Sequence, residues 1–440
     1  MPPEDDDMTE VRRSRPNVLV ILTDQQFAGA MSCAGNPDLS TPAMDALASA
    51  GVRFQNAYCA QPLCSPSRAS MMTGLMPHQT GVTGNAAAMD DTLRKRQLGY
   101  LFADAGYDCA YGGKWHLPDY DMVGDYGFGR VFGFGDDHLA DDCVAFIREA
   151  RDRPFFLVAA FDNPHNICEW ARNEPLPWGD VPDAATDECP TLPANFPIAP
   201  YEPELIRIAQ AQFPRWYPVA GWSDDHWRHY RHTYYRLCEK VDAEIGRLLD
   251  AVRTAGLEED TLILFSSDHG DGMGAHRWNQ KWTLYEESVR VPFIVSWKGV
   301  TTPGAVSGDL VSAGADVLPT LCDLAGIDAP DGLAGASLRD VCEGRGSGAR
   351  PDQVVVETRW DSPVLPHAYG RMLRTRRYKY AVYAWGRNRE QLFDLETDPG
   401  EMVNLAQDAR HGMVLDEHRS RLAGWCDRTG DDFLRVRLRG

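Results

Sequence analysis

Four short runs along the chain are almost continuously apolar: Asn17–Leu22, Pro154–Phe161, Thr261–Phe265 and Pro292–Trp297. They lack the polar alternation of a strand with one wet face. Runs of Val, Ile, Leu and Phe of this length predict parallel strands buried on both faces. Helical spacing lies between them. Thr41–Ala50 places Pro after a capping Thr, then Met44, Leu47 and Ala48 on one face. Tyr230–Thr254 is longer, with Leu237, Val241, Ile245 and Leu248 in register. Strands alternating with helices predict an α/β fold with a large, mainly parallel sheet flanked by helices.

Two stretches break the pattern. Trp170–Ser223 is dense in Pro, Trp and Asp with little period, which predicts a long insertion over one edge of the sheet. After about Gly335, Val354–Glu357, Arg371–Arg374, Tyr378–Tyr383 and Gln391–Asp394 predict short antiparallel strands, closed by a helix over Asp408–Cys426. The expected organisation is a flexible N-terminus (1–15), a main domain (16–335) carrying the insertion (170–223), and a small C-terminal α+β subdomain (336–440) with an antiparallel sheet.

The 440 residues exceed one ordinary core. A formal net charge of −20 excludes a general affinity for nucleic acid or anionic membranes. It leaves room for an anionic substrate in a locally basic pocket. The 11 cysteines contain no Cys-x-x-Cys pair, so a structural zinc site is not expected. Neither a secretory leader nor a membrane-spanning run is seen. Free, buried thiols in a reducing cytoplasm are the simplest expectation.

Chemistry gathers where strands end, as ligand sites do in open α/β sheets. The first strand runs into Asp24-Gln25, and the third into Asp268-His269-Gly270-Asp271. Two strand-end carboxylates with neutral oxygen or nitrogen donors suit a hard divalent cation. Each motif alone reads equally well as a capping Asp or a turn His. Cys64-Ser-Pro-Ser-Arg68-Ala-Ser, leading to Thr73-Gly74, places a Cys just ahead of a possible helix. That position activates thiols.

The stretch from Cys64 to Gly74 resembles the signature of the formylglycine-dependent sulfatases of the alkaline-phosphatase superfamily. The resemblance extends through Arg15–Gln25, Gly112-Gly-Lys114-Trp-His116-Leu, Asn163-Pro-His165, and one late block made of Asp268-His269-Gly270 together with His276 to Ser288, including Lys281. It ends at Leu392–Leu405. Six elements in order are far more specific than one.

The resemblance implies that a partner, the formylglycine-generating enzyme, oxidises Cys64 to an aldehyde whose hydrate attacks sulfur. The second hydroxyl then expels sulfate, an exit a plain Ser lacks. It implies one divalent metal held by Asp24, Gln25, position 64, Asp268 and His269. Calcium is expected, with magnesium or manganese as alternatives. Arg68 would hold the nucleophile, while Lys114 and Lys281 bind sulfate oxygens. His116 would take the proton in the elimination, and His165 would contact sulfate or protonate the leaving alcohol. His276, Arg277 and Trp278 are expected at the pocket mouth.

Two departures stand out. Many members carry Asp-Asp and Asp-Asn where this chain has Asp24-Gln25 and Asp268-His269. Asp162 precedes the Pro-His loop where some members have His. A small sulfated sugar is the expected substrate. A phosphate or phosphonate ester hydrolase with the same nucleophile, and a non-catalytic binder with unconverted Cys64, are the alternatives.

Overall fold

The structure is a computed structural model describing residues 15–117, 124–348, 350–360, 364–365 and 367–437. The flexible N-terminus expected over 1–15 lies outside these residues except for Arg15, whose guanidinium donates to Ala105 O.

The main sheet has eight strands: β1 (Asn17–Asp24), β2 (Val52–Tyr58), β3 (Asp108–Gly113), β4 (Arg130–Phe132), β5 (Phe155–Pro164), β6 (Thr261–Ser267), β7 (Phe293–Ser296) and β8 (Ala305–Ser312). Their order is β4-β3-β5-β1-β6-β7-β2-β8. Both faces of β1 are covered, which is why it reads as an unbroken apolar run. The neighbours β3, β5, β1 and β6 are parallel, so their C-terminal ends lie along one edge.

One expectation fails here. The Pro292–Trp297 run forms β7, which is antiparallel to both β6 and β2. The chain leaves β6 at the C-terminal edge and stays there through residues 268–289. It therefore enters β7 from that same edge, whereas a parallel strand needs a crossover to the far end.

Helices cover the sheet. The longest are α1 (Pro42–Ala50), α2 (Cys64–Thr73), α3 (Leu139–Arg148), α4 (Glu204–Gln212), α5 (Asp224–Thr254), α6 (Val317–Ala325) and α7 (Gly412–Thr429). The capping expected of Thr41 is not observed, because its hydroxyl bonds Ser32 instead. The first amides of α1 donate to Asp242 of α5 at 3.1 and 2.9 Å. Helix α5 starts six residues before the apolar pattern shows, at Asp224, where Ser223 Oγ accepts from His226 N and two aspartates sit in the first turn. The insertion is less irregular than expected. It contains α4, whose buried Leu205, Ile206 and Ala209 face the core.

The C-terminal strands appear where expected: β9 (Gln353–Arg359), β10 (Tyr369–Thr375), β11 (Tyr378–Tyr383) and β12 (Glu390–Asp394), all antiparallel. Leu415, Leu422 and Cys426 of α7 pack on Leu373, Tyr380 and Leu392. This sheet braces the main domain through buried polar contacts. Glu357 N donates to Ala60 O, and Thr358 Oγ1 to Trp282 O, on the two loops that carry Cys64 and Lys281. Lys379, fully buried, lies 3.0 Å from Glu286 and 2.7 Å from Glu401. All 11 cysteines are free, and all but Cys33 are buried. No helix among the described residues is long and apolar enough to cross a membrane.

Candidate active site

The register of the four parallel strands assembles the site. Asp24 ends β1 and lies opposite Pro164 of β5, while Thr23 lies opposite Ser267 of β6. This places Asp24, His165 and Asp268 at one edge, with Lys114 following β3. Cys64 opens α2, whose ten residues are all buried. Its first-turn amides and positive dipole end favour negative charge there. Gly74 ends this helix at φ 69°, a left-handed cap that suits glycine. Gly270 is needed for a different reason: a Cβ there would lie 2.0 Å from Glu287 O.

Arg68 lies one turn into α2. Its Nε donates to Asp268 Oδ2 at 2.8 Å, one amino group to Asp24 Oδ2 at 3.1 Å, and the other to Lys114 O at 2.7 Å. Lys114 Nζ also approaches Asp24 Oδ2 at 2.9 Å. Each carboxylate thus gives Oδ2 to the protein's own cations. The Oδ1 atoms face a common point with His269 Nε2 and Cys64 Sγ. His269 Nε2 lies 3.8 Å from Asp24 Oδ1, 3.7 Å from Asp268 Oδ1 and 3.3 Å from Cys64 Sγ. The four ligand atoms all fall within 4.8 Å of one another. His269 Nδ1 lies 2.9 Å from Gly270 O. Donation there leaves the Nε2 lone pair free for a ligand.

The electrostatics of the site suit a divalent cation. Burial raises the Asp24 pKa, yet Lys114, His165, Arg68 and Lys281 together hold it well below the carboxylate range. Burial and then Asp24 push Asp268 up. Two like charges facing one point are the arrangement a divalent ion relieves. The donor set of two carboxylate oxygens, one imidazole and position 64 fits such an ion.

Lys281 completes this side, its Nζ 3.2 Å from Cys64 Sγ. Burial and Asp24 oppose a thiolate at Cys64, but Lys281, His269 and Lys114 outweigh them and lower its pKa well below 9.0. The pocket is therefore built for an anion beside position 64. Burial opposes the charge on Lys114, but Asp162 first and Asp24 second keep its pKa well above the usual lysine value.

The other expected residues fall in different places. Gln25 donates its backbone N–H to Asp268 Oδ1 and its side-chain amide to Asp271 Oδ2 at 2.8 Å. His116 follows Trp115 at φ 48°, its carbonyl accepting from Ser65 Oγ, while its Nδ1 is buried without a partner among the described residues. His165 is half-buried on the loop after β5, its N–H donating to Asp162 O.

The expectation for the pocket mouth is corrected at His276 and Trp278. His276 is buried flat against Tyr285 at 3.9 Å, and burial pushes its pKa down to about 3. Trp278 is fully buried and donates to Lys281 O at 3.0 Å. Arg277 lies exposed over Phe196. Positive φ at Met273, His276, Arg277, Gln280 and Trp282 coils this loop so that its aromatic side chains pack inward and support Lys281.

Sequence reasoning missed Asp271, which accepts from Tyr230, Gln25 and Met273 N. It lies in the quoted strand-end motif, but nothing there marks which Asp turns inward.

A sheet with a strand-end carboxylate pair along its parallel edge and a buried cysteine beside it is the arrangement of the alkaline-phosphatase-like class. A profile described as Sulfatase matches residues 16–327, and one described as N-sulphoglucosamine sulphohydrolase, C-terminal, matches residues 274–427. The chain belongs to the sulfatase family and is a sulfuric ester hydrolase. It is 33% identical to a Delta 4,5-hexuronate-2-O-sulfatase of Bacteroides thetaiotaomicron, over 97% of this chain and 92% of that one. It is 31% identical to an ulvan-active sulfatase of Formosa agariphila, over 96% and 83%. Among solved structures it resembles a 2-O GAG sulfatase with a TM-score of 0.85 and 31% identity, covering 96% of this chain and 94% of that one.

Proposed function

We propose that this sulfatase removes sulfate from a small sulfated sugar, using a formylglycine made from Cys64 and one divalent cation, calcium first. The observation that carries the reading is the convergence of Asp24 Oδ1, Asp268 Oδ1, His269 Nε2 and position 64, with Lys281 3.2 Å from Cys64 Sγ. When bound, the cation would be held by those groups and would acidify an oxygen nucleophile at neutral pH.

The chain's own residues do the rest. Arg68 fixes both carboxylates and so orients the site around position 64. Lys114 and Lys281, both charged and almost fully buried, bind sulfate oxygens and stabilise the negative charge that grows on them. Their burial matters, because water screens such contacts weakly inside the protein. His165 protonates the leaving alcohol, and His116, whose Nδ1 has no partner among the described residues, accepts the proton released when the sulfated enzyme collapses. The sugar preference is supported by the carbohydrate sulfatases among the relatives.

The division at residue 335 belongs to the same reading: residues 16–335 carry the chemistry, and residues 336–440 brace it through Thr358 and Lys379.

The test compares wild type with Cys64→Ala on a panel of sulfated mono- and disaccharides, and on paired 4-nitrophenyl sulfate and phosphate. Turnover of a sulfated sugar, lost in Cys64→Ala, supports the proposal. Undiminished turnover in Cys64→Ala, or a phosphate preference by orders of magnitude, overturns it.

A further inference from the structure

Asp162 carries a charge that the reaction above does not use. Its side chain is almost fully buried, with Oδ1 2.9 Å from Lys114 Nζ. Oδ2 accepts from Trp178 Nε1 at 3.2 Å and Asn166 Nδ2 at 3.4 Å. The loop beneath is pinned as well: the backbone N–H groups of Asp162 and Asn163 donate to the two oxygens of Asp136 at 2.7 and 2.8 Å. Trp178 belongs to the insertion and is tied to α5 by Lys240, which donates to the carbonyls of Trp178 and Gly179. Three segments of the chain therefore cooperate to hold one carboxylate against Lys114.

Asp24 Oδ2 lies equally close to Lys114 Nζ at 2.9 Å, so Asp162 is a second carboxylate on this lysine. The consequence of Asp162 is a change in total charge. Leaving aside the divalent cation proposed above, Arg68, Lys114 and Lys281 are matched by Asp24, Asp268 and Asp162, so these six side chains sum to zero. Without Asp162 the same cluster would be cationic.

We infer that Asp162 is a charge filter, set against Lys114 to weaken the grip on doubly charged esters and so favour sulfate over phosphate monoesters. The inference rests on the role of Lys114 in holding the anion proposed above. Sulfate monoesters carry one negative charge, and phosphate monoesters about two above a second pKa of roughly 6. An oxygen hydrogen-bonded to Lys114 Nζ lies within about 6 Å of Asp162 Oδ1. At an effective dielectric of about 20–40, one further negative charge at that range is disfavoured about ten- to hundredfold.

The test is Asp162→Asn, which keeps the side-chain shape, beside Asp162→Glu, which keeps the charge. The readout is the ratio of kcat/KM for 4-nitrophenyl phosphate to that for 4-nitrophenyl sulfate at pH 8. Asp162→Asn raises this ratio about ten- to hundredfold, and Asp162→Glu leaves it near the wild-type value. If both constants fall together in Asp162→Asn with the ratio unchanged, Asp162 merely props Lys114 and the filter is overturned. If wild type turns over neither ester, the proposed reaction fails, but the filter can still be judged. Calorimetry on metallated Cys64→Ala protein then compares methyl phosphate with methyl sulfate. Adding Asp162→Asn must tighten methyl phosphate relative to methyl sulfate by at least about tenfold, and an unchanged relative affinity overturns the inference.

Discussion

Replacing Lys379 with Met tests how the two sheets are joined. Lys379 is fully buried on β11, 3.0 Å from Glu286 Oε1 and 2.7 Å from Glu401 Oε1. Removing one partner of a buried ion pair costs about 3–5 kcal/mol, because a buried charge is left uncompensated. The two carboxylates do not suffer equally. Glu286 keeps Arg290 at 3.1 Å and the Tyr58 hydroxyl at 3.1 Å. Glu401 has no second cation within ion-pair range among the described residues, and burial pushes its pKa up to about 8. At pH 6 Glu401 is protonated in the folded state, so the variant loses mainly the Glu286 pairing, about 3 kcal/mol. At pH 9 the wild type holds an ionised Glu401 beside Lys379. The variant must then protonate that carboxylate or bury it unpaired, which adds about 1.4 kcal/mol for each further pH unit. Urea unfolding followed by tryptophan fluorescence at pH 6 and pH 9 measures both. A loss under about 1 kcal/mol, or an equal loss at the two pH values, refutes the reasoning, since breaking a buried pair costs several times that.

Further outcomes follow from the same geometry. Glu401 has a folded pKa of about 8 against an ordinary 4.5, so its contribution to stability is complete below pH 4.5 and is lost as pH rises through 8. Glu401→Gln should flatten that fall when unfolding free energies are compared at pH 5 and pH 8. Lys281→Ala should lower kcat/KM for a sulfate ester by about a hundred- to a thousandfold with little change in melting temperature, as measured by steady-state kinetics and calorimetry. Stripping divalent ions with a chelator should lower both activity and melting temperature, and readdition of calcium should restore both. Full activity after verified removal would exclude a role for Asp24 and Asp268 as ligands.

Much of the fold was legible because the chain signals burial directly. The continuous runs at β1, β5 and β6 exist because helices cover both faces of the sheet, and their ends locate Asp24, His165 and Asp268. The direction of β7 was not legible: an apolar run of that length looks the same parallel or antiparallel, and the route taken by residues 268–289 decides it. Weaker strands such as β4, three residues at the sheet edge, leave almost no periodic trace. At the site, motif spacing identifies the residues that converge on position 64. It misplaces His276 and Trp278 because positive φ angles, invisible in a string of residues, turn them into the core. The carboxylate pairing of Lys114 with Asp162 joins residues 48 apart and is set by sheet register alone.

The proposed chemistry depends most on what occupies position 64. Protein purified from its own source organism, digested with trypsin, yields the peptide Phe54–Arg68, in which Cys59 serves as an internal unmodified thiol. Mass spectrometry after alkylation should find one alkylated cysteine, at position 59, and an aldehyde or its hydrate at position 64. Two alkylated cysteines, with no aldehyde in active enzyme, would contradict the central claim.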